Sequence, residues 1–315
     1  MTTPHAKLTT QSFQAWIADN DATGIHKAGF NGVASLIPSG TGRNIFVPES
    51  GGLNYEIIAL KGLGPYPPTA VSPFEPRSEP MSIECADSGQ VVLVQPETSH
   101  AHVSARIGFR AAEPHYLHQR IELTFHRRFC GPNEKNEFHS LWASYMHAPP
   151  DRHVYVKRDW REGADRDGWI GVTKLDHGPA DWHIRPLPSE RDLSPEEHLD
   201  AMRDRPPDVF GYGPVPPTDP LTLGREVLPG PLAFYYGLVN DWLFLMMFKQ
   251  SARFRFAYSP CGGGKEPGWC PAWDYVLRLE DARLDRPYVW DLCMVVKPYQ
   301  GRGDVLREVR SYVEG

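Results

Sequence analysis

The chain has 315 residues, 41% hydrophobic and 11% aromatic, with 33 basic and 39 acidic side chains that give a net charge of -6. That apolar content is enough to bury a sizeable core and excludes a largely disordered chain. The charges are interspersed without long blocks, which excludes the concentrated basic surface of a dedicated nucleic-acid or anionic-membrane binder.

With 28 Gly and 31 Pro, long helices have little room, and the composition predicts an all-β chain of many short strands joined by turns. The opening MTTPHAKLTT carries no charged region followed by an apolar stretch, so no signal peptide is expected. The longest strongly apolar run, Trp242 to Phe248, falls far short of the roughly 18 residues of a membrane helix. Cys85, Cys130, Cys261, Cys270 and Cys293 are odd in number, widely spaced and without a C-x-x-C pair, as expected of a reducing compartment. A soluble, cytoplasmic protein is the expectation.

Strands are predicted at Ser12 to Ala18, Gly32 to Ile37, Asn44 to Val47 and Leu53 to Leu60, separated by Gly-, Asn- and Pro-rich turns. The segment Gly64 to Pro80 holds six prolines and reads as an irregular surface loop. The clearest period-2 signal follows. Val103, Ala105, Ile107 and Phe109 alternate with polar residues, and after Glu113-Pro114 so do Leu117, Ile121, Leu123 and Phe125, which predicts an antiparallel hairpin with one apolar and one functionalised face. Further strands are expected at 138–146, 153–157, 168–175, 232–236, 241–249, 253–258, 273–279 and 289–296.

Two peripheral helices are expected. Ser194-Pro195-Glu196-Glu197 forms a capping box with Pro at the first helical position. Asp304 can cap a C-terminal helix whose Val305, Leu306, Val309, Tyr312 and Val313 share one face. No composition break divides the chain, so one β-sandwich domain over 1–315 is expected.

Cys261-Gly262-Gly263-Gly264-Lys265 lacks the first Gly and the Ser or Thr of a phosphate loop, and Glu266 would repel phosphate. Neither H-E-x-x-H, G-x-S-x-G nor G-x-G-x-x-G occurs. No cofactor is therefore expected; no metal is assigned either, although His pairs at i and i+2 on one strand could also converge on an ion.

Ten of the 13 histidines lie between His100 and His183. Imidazoles titrate near neutrality, so their clustering points to proton transfer. His118, Arg120, Glu122 and His126 share one strand parity, with i and i+2 neighbours about 6.6 Å apart, and His100, His102, Ser104 and Arg106 precede them with the same parity. Glu122 or a histidine could take a proton, another histidine give one, and Arg106 or Arg120 stabilise an oxyanion. An ordinary solvated sheet face would show the same alternation. His139, Tyr145 and His147 share a parity and could extend the patch. Trp273 and Asp274 combine an aromatic face with a carboxylate, as sugar sites do; Trp273 could equally be core.

The residues Gly29 to Ile37, then Asn44-Ile45-Phe46 leading into Gly52-Leu53-Asn54-Tyr55-Glu56, resemble the opening hairpins of the galactose mutarotase-like supersandwich. Ser144 to Asp151, and Gly262-Gly263-Gly264 followed by Pro271-Ala272-Trp273-Asp274, are similar to a family of uncharacterised bacterial proteins common in sugar-degrading planctomycetes. The resemblance implies a large antiparallel β-sandwich whose concave face binds carbohydrate. Mutarotases use a His and a Glu across that face, while lyases and glycoside hydrolase domains share the architecture, so the fold leaves the reaction open.

The expected function is a carbohydrate-active enzyme that cleaves a glycosidic linkage by general acid–base catalysis. An aldose epimerase or a non-catalytic sugar-binding module is the alternative. The candidate catalytic residues are His118, Glu122, His126, His139 and Tyr145; those for substrate are His100, His102, Arg106, Arg120, His147, Trp273 and Asp274. The expected partner is a mono- or oligosaccharide, with neither nucleic acid nor membrane, and self-association into a homo-oligomer stays open.

Overall fold

A computed structural model describes residues 5–47, 52–60, 75–85, 89–128, 130–157, 160–162, 168–174, 182–186, 233–250, 254–259, 270–284 and 286–315. The described residues form an all-β sandwich of two antiparallel sheets with a C-terminal helix.

The strands are β1 (His5–Thr9), β2 (Phe13–Ala18), β3 (Gly32–Pro38), β4 (Leu53–Leu60), β5 (Ser82–Cys85), β6 (Gln90–Gln95), β7 (Val103–Ala112) and β8 (Tyr116–Phe125). They continue with β9 (Phe138–Ser144), β10 (Val154–Lys157), β11 (Trp169–Lys174), β12 (Trp182–Pro186), β13 (Phe234–Val239), β14 (Trp242–Phe248), β15 (Phe254–Ser259), β16 (Ala272–Leu279) and β17 (Tyr288–Pro298). The seven-stranded sheet runs β1-β2-β3-β4-β9-β16-β15, and the ten-stranded sheet runs β12-β11-β10-β13-β14-β17-β8-β7-β6-β5. The chain forms two compact units, Met1–Tyr145 with Asp274–Leu292, and Met146–Trp273 with Cys293–Gly315.

In the first unit β9 lies between β4 and β16, and its alternation sets the core. Trp142 is opposite both Tyr55 and Tyr275. The three rings stack, at 5.4 Å and 6.2 Å between centroids, and Phe109 meets Trp142 edge-on at 6.4 Å. Tyr275 Oη donates to Gln119 Oε1 at 2.8 Å, so the stack lies on the side of its sheet that faces β7 and β8. Residues of the other parity, Asn54, Glu56 and Asp274, therefore point away from the stack.

In the second unit β13 and β14 are almost wholly buried, with aromatic pairs from Tyr235 to Phe256 and from Phe248 to Phe254. Gly237 lies under the Trp273 ring, whose Cζ3 and Cη2 occupy the space of any Cβ. The helix, α1 (Arg302–Glu314), is tied down by Lys297, which pairs ionically with Asp304 at 2.8 Å and donates to Glu308.

The 103–128 hairpin forms as the alternation predicts, with Arg106 opposite Glu122 and Arg110 opposite His118. Four readings need correction. Asn44–Val47 is not a strand: the Asn44 side chain caps the Leu36 and Phe46 amides, so the backbone turns there. Strands β1, β5, β6 and β12 were not expected. Asp304 does not cap α1; Gly301 is the N-cap, with φ 93°, and Asp304 sits in the first turn, where its charge meets the helix dipole and Lys297. Finally, β7 starts at Val103 and His102 has φ 52°, so the strand parity does not run back to His100 and His102. The expected 194–203 helix lies outside the described residues. Among the described residues no helix is long and apolar enough to cross a membrane.

Gly237→Ala should lower unfolding stability by about 1–3 kcal/mol by forcing Trp273 off its packing, the usual cost of overfilling a core. Urea denaturation of both chains checks this, and equal midpoints would refute it.

Candidate functional site

The strongest concentration of buried ionisable groups lies in the first unit, on the side of the β4-β9-β16 sheet away from the Trp142 stack. Glu56 is 1% exposed and Asp274 3%. Their strands flank β9, so about 10 Å separates the two backbones, twice the strand spacing. Tyr145, the residue after β9, follows the parity of Ala143 and comes round to the same side.

Arg77 reaches in from the turn that follows Glu75. Its Nη2 donates to Glu56 Oε1 in a buried ion pair and to Tyr145 Oη at 2.8 Å. The guanidinium lies 4.5 Å from the centroid of the Phe30 ring, and Phe30 meets Tyr145 edge-on. Tyr145 Oη is 3.5 Å from Glu56 Oε1.

That turn is held at several points. Asn20 Nδ2 donates to the Pro76 carbonyl at 2.8 Å and the Glu79 carbonyl at 2.6 Å. The Ile57 amide donates to the Glu75 carbonyl at 2.6 Å. The buried Glu75 carboxylate accepts the backbone amides of His100 and Ala101 at 2.8 and 2.9 Å. Asn31, fully buried, exchanges two hydrogen bonds with the Tyr55 backbone, fixing the strand that carries Glu56.

Burial pushes the Glu56 carboxyl above its ordinary pKa, and the Arg77 charge only partly offsets this. Asp274 is pushed up much further, by burial and by the Glu56 charge, against the Ser144 amide that donates to its Oδ1 at 2.8 Å. Tyr145 is raised well above the usual tyrosine range by burial and by Glu56, so it stays a neutral phenol. Two carboxyl groups in one region thus have different partners, Glu56 a cation and Asp274 an amide, which suits a base and an acid at the same pH.

The sequence-derived candidates fall into separate groups. Arg106, His118, Arg120, Glu122 and His126 share the polar face of the β7-β8 hairpin, half-exposed or exposed. Arg106 pairs with Glu84 at 2.7 Å and Arg120 with Asp291 at 3.0 Å. His126 bonds Ser104 at 2.8 Å, and His102 bonds Glu97 at 2.7 Å. His139 lies in the other sheet, where it and Arg278 share the Glu137 carboxylate. His147 is half-buried in the second unit, and Trp273 is fully buried there, next to Phe244 and over Gly237.

Tyr145 and Asp274 alone among these candidates belong to the buried constellation, and His100 adjoins it through Glu75. Glu56 and Arg77 were missed. Glu56 stands in LNYEIIAL, where a single acid looks like any outward strand residue, and Arg77 hides in the Pro-rich segment. Among the described residues no group of three or more His, Cys, Asp or Glu could hold a metal.

No family model matches the chain, and no curated protein matches it in sequence. Solved structures do. A candidate aldose 1-epimerase from Escherichia coli K12 aligns at a TM-score of 0.54 with 10% identity, over 94% of this chain and 99% of its own. An alpha-N-acetylgalactosaminidase from Bifidobacterium bifidum, in complex with GalNAc, aligns at 0.50 with 10% identity, over 98% of this chain but 38% of its own. The chain has the galactose mutarotase-like sandwich fold.

Because the folded chain keeps a proton on Asp274 at pH values where the unfolded chain has released it, stability should fall as pH rises from the ordinary aspartate range through the raised pKa. Asp274→Asn keeps an acceptor for the Ser144 amide and removes the ionisation. Its thermal midpoint should decline less than wild type's between pH 5 and 8, and parallel pH profiles would refute the assignment.

Proposed function

We propose that the chain is a carbohydrate-active enzyme that performs acid–base chemistry at the anomeric centre of a saccharide, with Glu56 as base, Asp274 as acid, and Arg77 and Tyr145 placed to stabilise charge on oxygen. The observation that carries this reading is the pair of buried carboxyl groups beside a guanidinium and a neutral phenol. In ring opening the base takes the proton of the anomeric hydroxyl while the acid protonates the ring oxygen, and both return in the reverse sense on the other face. The near-complete mutual coverage with the Escherichia coli protein supports this epimerase-type reading over others.

Glycosidic cleavage is the second reading, favoured by the presence of two carboxyl groups rather than one, as retaining and inverting hydrolases require. A lyase fits less well. It must neutralise a uronate carboxylate, and here Arg77 is already committed to Glu56. A mono- or oligosaccharide is the proposed substrate, and a single cytoplasmic domain the proposed setting.

The full-length protein should accelerate anomer exchange of D-galactose or D-glucose, followed by saturation-transfer NMR, and a panel of nitrophenyl glycosides tests cleavage in parallel. Glu56→Gln and Asp274→Asn should each cost about 10²–10⁴-fold in turnover, the usual worth of a general base or acid. Glu122→Ala and His118→Ala should leave turnover unchanged. If those two abolish it while Glu56→Gln does not, the chemistry belongs to the hairpin face instead.

A further inference from the structure

The second unit buries a hydrogen-bonded triad that the chemistry proposed for the first unit does not use. The turn before β10 brings Asp151 back over the strand, where its carboxylate is 4% exposed. Oδ1 accepts both the backbone amide and the ring Nδ1 of His153, each at 2.9 Å, and Oδ2 accepts the Tyr155 hydroxyl at 2.5 Å. A carboxylate facing Nδ1 selects the tautomer protonated there, which turns Nε2 into an acceptor. That Nε2 is buried and meets no partner among the described residues. A buried acceptor of this kind is costly unless something donates to it.

The surroundings restrict what the donor is. The Tyr155 ring stacks on His153 at 6.1 Å, Tyr236 lies 5.1 Å from Tyr155, and Trp169 meets Tyr236 edge-on. Burial raises the Asp151 pKa, but the His153 and Tyr155 hydrogen bonds bring it below the ordinary value, so Asp151 is an anion already met by three donors. It repels anionic ligands and has no need of a cation. The Tyr258 hydroxyl, which donates to the Arg152 carbonyl at 2.9 Å, and the buried Tyr236 hydroxyl also bear on Asp151. An oriented acceptor beside aromatic rings suits a neutral molecule that presents a hydroxyl group and a C–H face.

We propose that Asp151, His153 and Tyr155 form a binding site made wholly by the second unit, in which His153 Nε2 accepts a hydrogen bond from a hydroxyl group of a neutral, sugar-like ligand. The hydroxyl follows from the triad itself; the sugar-like shape rests on the reading given under Proposed function.

The test is a two-bond ¹H–¹⁵N correlation spectrum of the full-length, ¹⁵N-labelled protein, with the His153 signals assigned by comparison with His153→Gln. Tyr155→Phe, which removes one partner of Asp151 but keeps the ring, serves for assignment where the first variant does not fold. The expected result is a ring protonated at Nδ1 whose Nε2 signal moves on titration with D-galactose, D-glucose or glycerol and stays put with inorganic phosphate. A ring protonated at Nε2, a signal that none of the three polyols moves, or one that phosphate moves equally overturns the proposal. Glu56→Gln should give the same titration, and loss of the response in that variant overturns assignment to the second unit. If Glu56→Gln leaves turnover intact, the acid–base reading fails while the His153 titration still decides this site.

Discussion

A carboxylate removed from water in the middle of a sheet cannot stand alone: the effective desolvation penalty is several kcal/mol per ion even after relaxation. Glu56 is such a group. The parity that sends Leu53, Tyr55 and Ile57 into the core forces Asn54 and Glu56 to the opposite side, and the chain meets the resulting charge with Arg77 rather than with solvent. The hydrogen bonds around that ion pair, from Asn20 to the Glu75 carboxylate, serve to bring the guanidinium to that one point.

The consequence is a coupling between distant segments of the first unit. Asn20 precedes β3, Glu75 and Arg77 precede β5, His100 and Ala101 precede β7, and all three meet at one turn. The Glu75 carboxylate takes two backbone amides that strand pairing leaves over, which fixes the loop without a partner charge. A long, flexible arginine held in this way loses its rotamer freedom during folding instead of on binding a ligand, which is how preorganised electrostatics is obtained.

Periodicity revealed the β7-β8 hairpin, the central strands and α1, because each has one face that must leave water. It missed β1, β5, β6 and β12, whose segments are short or lack clean alternation, and it took Asn44–Val47 for a strand because a side-chain cap is invisible to hydrophobic pattern. The histidines do not converge on one site for a related reason. Closeness in sequence along a hairpin puts side chains on a shared face, but says nothing about which way that face points, and here Arg106 and Arg120 find their partners in acids on β5 and β17. The buried constellation was hard to read because burial is a property of the other chain segments: nothing in Leu53 to Leu60 says that Glu56 is covered and met by an arginine twenty-one residues away.

Strand β9 shows why core and site cannot be separated in the first unit. Trp142 and Tyr145 are three residues apart, one stacked between Tyr55 and Tyr275, the other bonded to Arg77. Ser144 lies between them, and its amide holds Asp274, the neighbour of Tyr275. The same is true across the ladder, where Tyr55 and Glu56 are adjacent and Asn31 clamps the Tyr55 backbone from the side. Any shift of the aromatic stack along β9 must therefore move the Tyr145 phenol and the Glu56 and Asp274 carboxyl groups together. A sheet that alternates core and chemistry residue by residue converts packing precision directly into the relative placement of its ionisable groups.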